Sequence, residues 1–159
     1  MDSDALLIRN ARAGDLAAAR DVAALAFESV RSIYRPSEEA YVRRPARGRR
    51  YKRLVALIDG RLVGTVQYTV EDGRLHIVGL ATHPDYRRRG VARGLIGHLE
   101  ALGKRLHLRA LSLSTIGETG NPALFERMGF ATCLEEPAAD VISPRGDALT
   151  EVYMEKVLG

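Results

Sequence analysis

Residues 80–92 read Leu80-Ala81-Thr82-His83-Pro84-Asp85-Tyr86-Arg87-Arg88-Arg89-Gly90-Val91-Ala92. An apolar strand end passes through a tight basic connection, and a glycine opens a helix. Val91, Leu95, Leu99 and Leu102 then share one face, with Ala92 and Ile96 beside them, so that helix is long and amphipathic. The first N–H groups of a helix have no partner inside it and gather positive potential, which makes such a junction a ready anion site. Gly90 leaves the backbone open to a phosphate, Ala92 keeps the same approach narrow, and Arg87, Arg88 and Arg89 add charge. Neither Gly-x-Gly-x-x-Gly nor Gly-x-x-x-x-Gly-Lys-Ser/Thr is present. A dinucleotide fold and a nucleotide triphosphatase are therefore disfavoured.

Upstream of this junction the apolar spacing has period two. Tyr51 to Ile58, Leu62 to Val70 and Leu75 to Thr82 read as strands, joined by the hairpin pairs Asp59-Gly60 and Asp72-Gly73. Further back, Leu6 to Ile8 is a short strand. Asp15 is a candidate N-cap for a helix carrying Leu16, Ala19, Val22, Ala23, Ala26, Phe27 and Val30, to about Ser32. A second short helix is expected from Ser37, ended by Pro45 and Gly48. Downstream, Leu106 to Ser114 reads as a strand and Gly120 to Met128 as a short helix closed by Gly129. Phe130 to Leu134 and Leu149 to Val157 are the last strands. The expected fold is one α/β domain over residues 1–159, with a mixed, mostly antiparallel sheet of about six to seven strands and about four helices.

The 159 residues, 46% apolar and 28% charged, exclude disorder as the main description. No apolar run approaches the roughly 20 residues of a membrane span, and the acidic start MDSDALLIRN does not read as a signal peptide. The single cysteine, Cys133, leaves no internal disulfide or multi-cysteine metal framework, and a buried small hydrophobe is the expected reading. A reducing cytoplasm is the natural setting. No metal is implied, since no His, Cys or carboxylate cluster has ligand spacing. The net charge is +4, but Arg43 to Arg53 alone carries +7, so the rest of the chain sums to −3.

Arg87-Arg88-Arg89-Gly90-Val91-Ala92 resembles the Arg/Gln-x-x-Gly-x-Gly/Ala pyrophosphate loop of the GNAT N-acetyltransferase superfamily. Asn121-Pro122-Ala123-Leu124-Phe125-Glu126-Arg127-Met128-Gly129-Phe130 resembles that family's later Asn…Leu-Tyr…Gly-Phe segment. The two stand in the family's order, and the resemblance extends over essentially the whole chain. It implies acetyl-CoA as cosubstrate, with the backbone N–H groups from Arg88 to Ala92, beside Arg87, holding the pyrophosphate. Leu80, Ala81 and Thr82 would offer exposed main chain to the pantetheine arm where their strand splays from that of Leu108 to Ser114, the Leu80 N–H lying near the thioester carbonyl. Asn121 and Phe125 would flank the sulfur.

Acetyl transfer to an amine needs a neutral nucleophile, stabilisation of the developing oxyanion and a proton for the leaving thiolate. The thioester is already activated, so direct attack by the amine suffices. His76 is the chosen general base: imidazole titrates near neutrality, and His76 stands eleven residues before Arg87, where several members of the family carry a Glu or His. Glu71 and His83 are weaker alternatives. His98 and His107 read as surface residues, and Glu118 reads as solvated. Phe125 departs from the family's usual Tyr and cannot donate to the thiolate. Tyr68, Tyr86 and Tyr153 are replacements only in principle.

These features imply an N-acetyltransferase acting on a primary amine of a small molecule or peptide. An acyl-CoA-binding module with little transfer, and a protein associated with nucleic acid or charged tRNA through residues 43–53, are the alternatives. A homodimer is expected from the edge and terminal strands. No membrane contact is expected, and nucleic acid is disfavoured because only Tyr41 and Tyr51 flank the basic run.

Overall fold

Two Asp-Gly pairs shape the first half of the sheet. In the computed structural model, which describes residues 5–36 and 50–159, φ is 50° and 77° at Asp59 and Gly60 and 53° and 73° at Asp72 and Gly73. Two successive left-handed residues make the tight turn whose twist matches its flanking strands. The turns join β3 (Lys52–Ile58) to β4 (Arg61–Glu71), and β4 to β5 (Arg74–Thr82), in the meander the sequence predicts. β1 (Leu6–Asn10) flanks β3. Beyond β5 come β6 (Ala110–Ile116), β9 (Thr150–Val157) and, at the edge, β7 (Ala131–Pro137). The sheet order is β1-β3-β4-β5-β6-β9-β7, parallel only between β5 and β6. β2 (Arg35–Pro36) and β8 (Val141–Ile142) form a separate antiparallel ribbon. This is the expected fold class. The helix expected from Ser37, and most of the basic run, lie outside the described residues.

Three α-helices are described: α1 (Leu16–Glu28), α2 (Val91–Arg105) and α3 (Asn121–Arg127). α2 buries Val91, Leu95, Ile96 and Leu99. They meet alternate residues of the strands, among them Leu54, Ala56, Val66, Tyr68, Leu75, Ile77, Leu111 and Leu113, in one core. Truncating a buried leucine such as Leu95 or Leu99 to Ala costs about 2–5 kcal/mol. The approach is closest at Gly64 of β4, where an added Cβ would overlap Val91 Cγ1. α1 packs on β4 and β5 through Ala19 and Val22, which stand outside that core, so the two helices cover opposite faces.

Several boundaries move. α1 stops at Glu28, short of Ser32: the Ser29 hydroxyl donates back to the Ala26 carbonyl, and Val30, Ile33 and Tyr34 close successive tight turns before the extended Arg35-Pro36. Asp15 precedes α1 but makes no cap bond to it. Its carboxylate accepts instead from Arg9 Nη1 at 2.7 Å and from the Arg12 N–H at 2.7 Å. β6 begins at Ala110 because Leu106 to Arg109 finish the helix end. His107 takes φ 58°, its N–H donates to Lys104 O, and the Leu108 N–H donates to Gly103 O. That is the paired Schellman pattern, with His where Gly is usual. Cys133, expected to be buried, is exposed. Every residue of β7 is exposed, since among the described residues this edge strand has β9 as its one strand neighbour, and it shifts register between Thr132 and Leu134.

Candidate active site

The parallel pair β5–β6 is short. Arg74, Leu75 and His76 face Ala110, Leu111 and Ser112, and pairing ends there although both strands continue. From Ile77 onward the strands part. Within β5 the register on β4 also slips: Val78 faces Gln67 and Ala81 faces Thr65, so Gly79 and Leu80 together oppose Val66. Gly79 has φ 64°. Such a bulge takes backbone groups out of the ladder and bends the strand, here beside the opening.

The opening is a cavity of about 760 Å³. Gly79, Leu80, Ala81 and Thr82 form its floor. One end is basic, with Arg87, Arg88, Gly90, Val91, Ala92 and Arg93 at the start of α2. Arg88 and Gly90 are both left-handed, at φ 65° and 78°, while Arg87 is not. Left-handed residues just ahead of a helix start can turn N–H groups toward one concavity suited to an anion. Holding Arg88 there costs about 1 kcal/mol or more, a strain typical of ligand clamps. Nothing lies within 4 Å of the position a Gly90 Cβ would take, so the space before the helix start is clear.

Tyr86 braces this loop. The Arg61 and Arg89 guanidinium carbons stand 5.4 and 5.1 Å from its ring centroid, and His83 packs edge-on at 5.5 Å. His83 Nδ1 accepts the Asp85 N–H at 3.1 Å, a capping role within the loop.

The other walls come from α3 and from α1 with its following turn. α3 gives Asn121, Leu124 and Phe125; Phe125 packs edge-to-face on Phe130 at 5.7 Å. Asn121 is fixed by its N–H to Thr119 Oγ1 at 3.1 Å and by Nδ2 to Thr115 Oγ1 at 3.4 Å. α1 and its turn give Ala23, Ala26, Phe27, Val30, Ile33 and Tyr34. The sequence does not mark this wall, since helical spacing gives a cavity wall and a core stripe the same pattern.

Leu80, Ala81, Thr82, Arg87, Arg88, Gly90, Val91, Ala92, Asn121 and Phe125 are thus brought together around one cavity. Arg89 and His76 are not in its lining. Arg89 stacks on Tyr86, and His76 stands at the apex where the strands part, its Nδ1 3.0 Å from Ser112 Oγ. Leu80 is four residues further along β5, about 13 Å away at strand rise.

Glu71 sits at the β4–β5 turn, facing Arg74, and His98 and His107 are exposed, all away from the cavity. Glu118 is more than a solvated side chain. Its carboxylate accepts the Thr150 N–H at 2.8 Å, which holds its pKa below the ordinary range. Tyr68 is in the core. Tyr153 donates to Glu136, and burial together with that bond pushes its pKa up to about 12. Arg53, from the end of the basic run, donates to Thr65 Oγ1 at 2.7 Å, and burial lowers its pKa. Among the described residues no group of His, Cys, Asp and Glu could hold a metal ion, and no helix is long and apolar enough to cross a membrane.

A family model described as "Acetyltransferase (GNAT) family" matches residues 17–130. None of the curated proteins matches in sequence. Among solved structures, the ribosomal-protein-S18-alanine N-acetyltransferase from Escherichia coli superposes with a TM-score of 0.76 at 20% identity, over 98% of this chain and 95% of that one. Nourseothricin acetyltransferase gives 0.70 at 20% identity, over 98% and 99% of the two chains. A putative streptothricin acetyltransferase from Bacillus anthracis, in complex with acetyl coenzyme A, gives 0.69 at 14% identity, over 96% and 99%.

Proposed function

Because the chain belongs to the GNAT acetyltransferase family, we propose that it transfers the acetyl group of acetyl-CoA to a primary amine of a small molecule or peptide. The observation that carries this is the cavity where β5 and β6 part, floored by bulged backbone and closed at one end by a left-handed basic loop on a helix start. The N–H groups from Arg88 to Ala92, with the charge of Arg87, would take the pyrophosphate. Main chain at Gly79 to Thr82 would take the pantetheine arm, with the Leu80 N–H toward the thioester oxygen, and Asn121 and Phe125 would flank the sulfur. The bound group supplies an activated acyl carbon. The chain orients it and keeps the amine neutral. His76, outside the cavity lining, would receive the amine proton through water and pass it toward Ser112 and solvent.

The compared structures are named for acceptors as unlike as a ribosomal protein and nourseothricin, so they select none for this chain. A single domain over residues 1–159 and a cytoplasmic setting belong to the same reading. The second reading, a module that binds acyl-CoA and transfers little, is favoured by Phe125, which has no hydroxyl where a thiolate would leave.

Calorimetric titration with acetyl-CoA of the wild type and Ala92→Glu tests the binding half. A carboxylate in the first turn suits a helix and opposes a phosphate, so the variant is expected to stay folded and lose at least about tenfold in affinity. Unchanged affinity would remove the loop from the site. An amine panel with His76→Ala then separates the readings: turnover by the wild type that collapses in the variant supports transfer, and binding without turnover supports the module.

A further inference from the structure

We propose that the Tyr34 hydroxyl donates the hydrogen bond that stabilises the departing thiolate of coenzyme A, from the turn after α1 that lines the same cavity as Phe125. This rests on the transferase reading above. When the amine lone pair forms the C–N bond, the C–S bond breaks, its electron pair stays on sulfur, and the amine proton leaves toward His76 and water. Sulfur thus acquires a full negative charge inside the cavity, where a charge left unpaired is costly.

The hydroxyls and amides of the lining are mostly committed elsewhere. Ser29 donates to Ala26 O, Thr119 to Ile116 O, and Asn121 to Thr115. Thr82 stands on the floor strand next to the basic end, and Tyr86 is held there between Arg61 and Arg89. Among the described residues no hydrogen bond engages the Tyr34 hydroxyl, and Tyr34 lines the cavity.

Tyr34 shares the cavity with Asn121 and Phe125, the residues that would flank the sulfur. α1 packs on β4 and β5, whereas β2, one residue after Tyr34, pairs with β8 in the β7–β9 connection. Residues 29–34 therefore link α1 to that ribbon, and Val30, Ile33 and Tyr34 line the cavity on the way. The ring is fixed by edge-to-face packing on Phe27, at 5.4 Å and 81°.

Burial raises the Tyr34 pKa above its ordinary value, so the hydroxyl keeps its proton. A thiol ionises near 8.5 and a phenol near 10. Proton transfer from Tyr34 to the thiolate therefore runs uphill, and Tyr34 acts by donating a hydrogen bond while the sulfur leaves as an anion.

The test needs no acceptor. Coenzyme A is bound to the wild type, to Tyr34→Phe and to Tyr34→Phe/Phe125→Tyr, and its thiol is titrated by thiolate absorbance in the ultraviolet. The bound thiol is expected to ionise about one pKa unit lower in the wild type than in Tyr34→Phe, a tenfold shift. The second hydroxyl, at position 125, is expected to restore part of it. Identical titration curves in wild type and Tyr34→Phe overturn this inference and leave the transferase reading standing. Failure of the wild type to bind coenzyme A overturns both.

Discussion

Asp15 shows at the residue scale how a correct feature can serve another end. Its position before a helix predicts a cap, yet the carboxylate ties β1 to the helix entrance through Arg9 and the Arg12 N–H. The Arg9 bond first, and the Arg12 N–H next, lower its pKa to about 2, from about 3.9 in an unfolded chain. A depressed carboxyl stabilises the fold above the unfolded pKa and loses that effect as pH falls through the folded one. Asp15→Asn is therefore expected to lower Tm at pH 7, with the gap to wild type closing between about pH 4 and pH 2. A gap that persists at pH 2 would assign the effect to packing. The sequence could not show this pairing, because Arg9 is one of many arginines and spacing does not choose among them. Tyr34 is unmarked in the sequence for a similar reason: an aromatic residue after an amphipathic helix carries no mark of facing a cavity.

At the scale of elements, local chemistry was legible and its exceptions were not. Asp59-Gly60 and Asp72-Gly73 announce their hairpins because few residues tolerate two left-handed conformations in a row. The end of α2 hid itself because His107 occupies the left-handed position that Gly usually marks. The bulge at Gly79 and Leu80 was equally silent, since Gly within a strand fits several local structures. The seating of α2 on β4 depends on Gly64 having no side chain. Gly64→Ala is expected to destabilise by about 1–3 kcal/mol in urea unfolding. Adding Val91→Ala should recover part of that loss, because it removes the methyl group that is overlapped. Full additivity of the two changes would place the strain elsewhere.

Across the whole molecule the sheet is two half-sheets, β1-β3-β4-β5 and β6-β9-β7, joined by three register pairs before the strands part. The sequence suggested this parting only through family resemblance, because strand divergence is a property of neighbours and not of either strand's pattern. A ligand seated in the gap, as proposed, would replace the missing strand contacts. Saturating acetyl-CoA is expected to slow amide exchange at residues 77–82 and 113–116 by about tenfold or more, beyond any slowing common to all strands. Uniform slowing would mean that the ligand stabilises the fold without bridging its halves. The exposed position of Cys133 on the outermost strand has a practical side. It is the only thiol in the chain, so a maleimide dye attaches at one defined place without mutagenesis. The same thiol adds up to one equivalent of colour to any disulfide-reagent assay that counts released coenzyme A. In air it can also crosslink two copies edge to edge, so a dimer seen on a sizing column is meaningful only with reductant in the buffer.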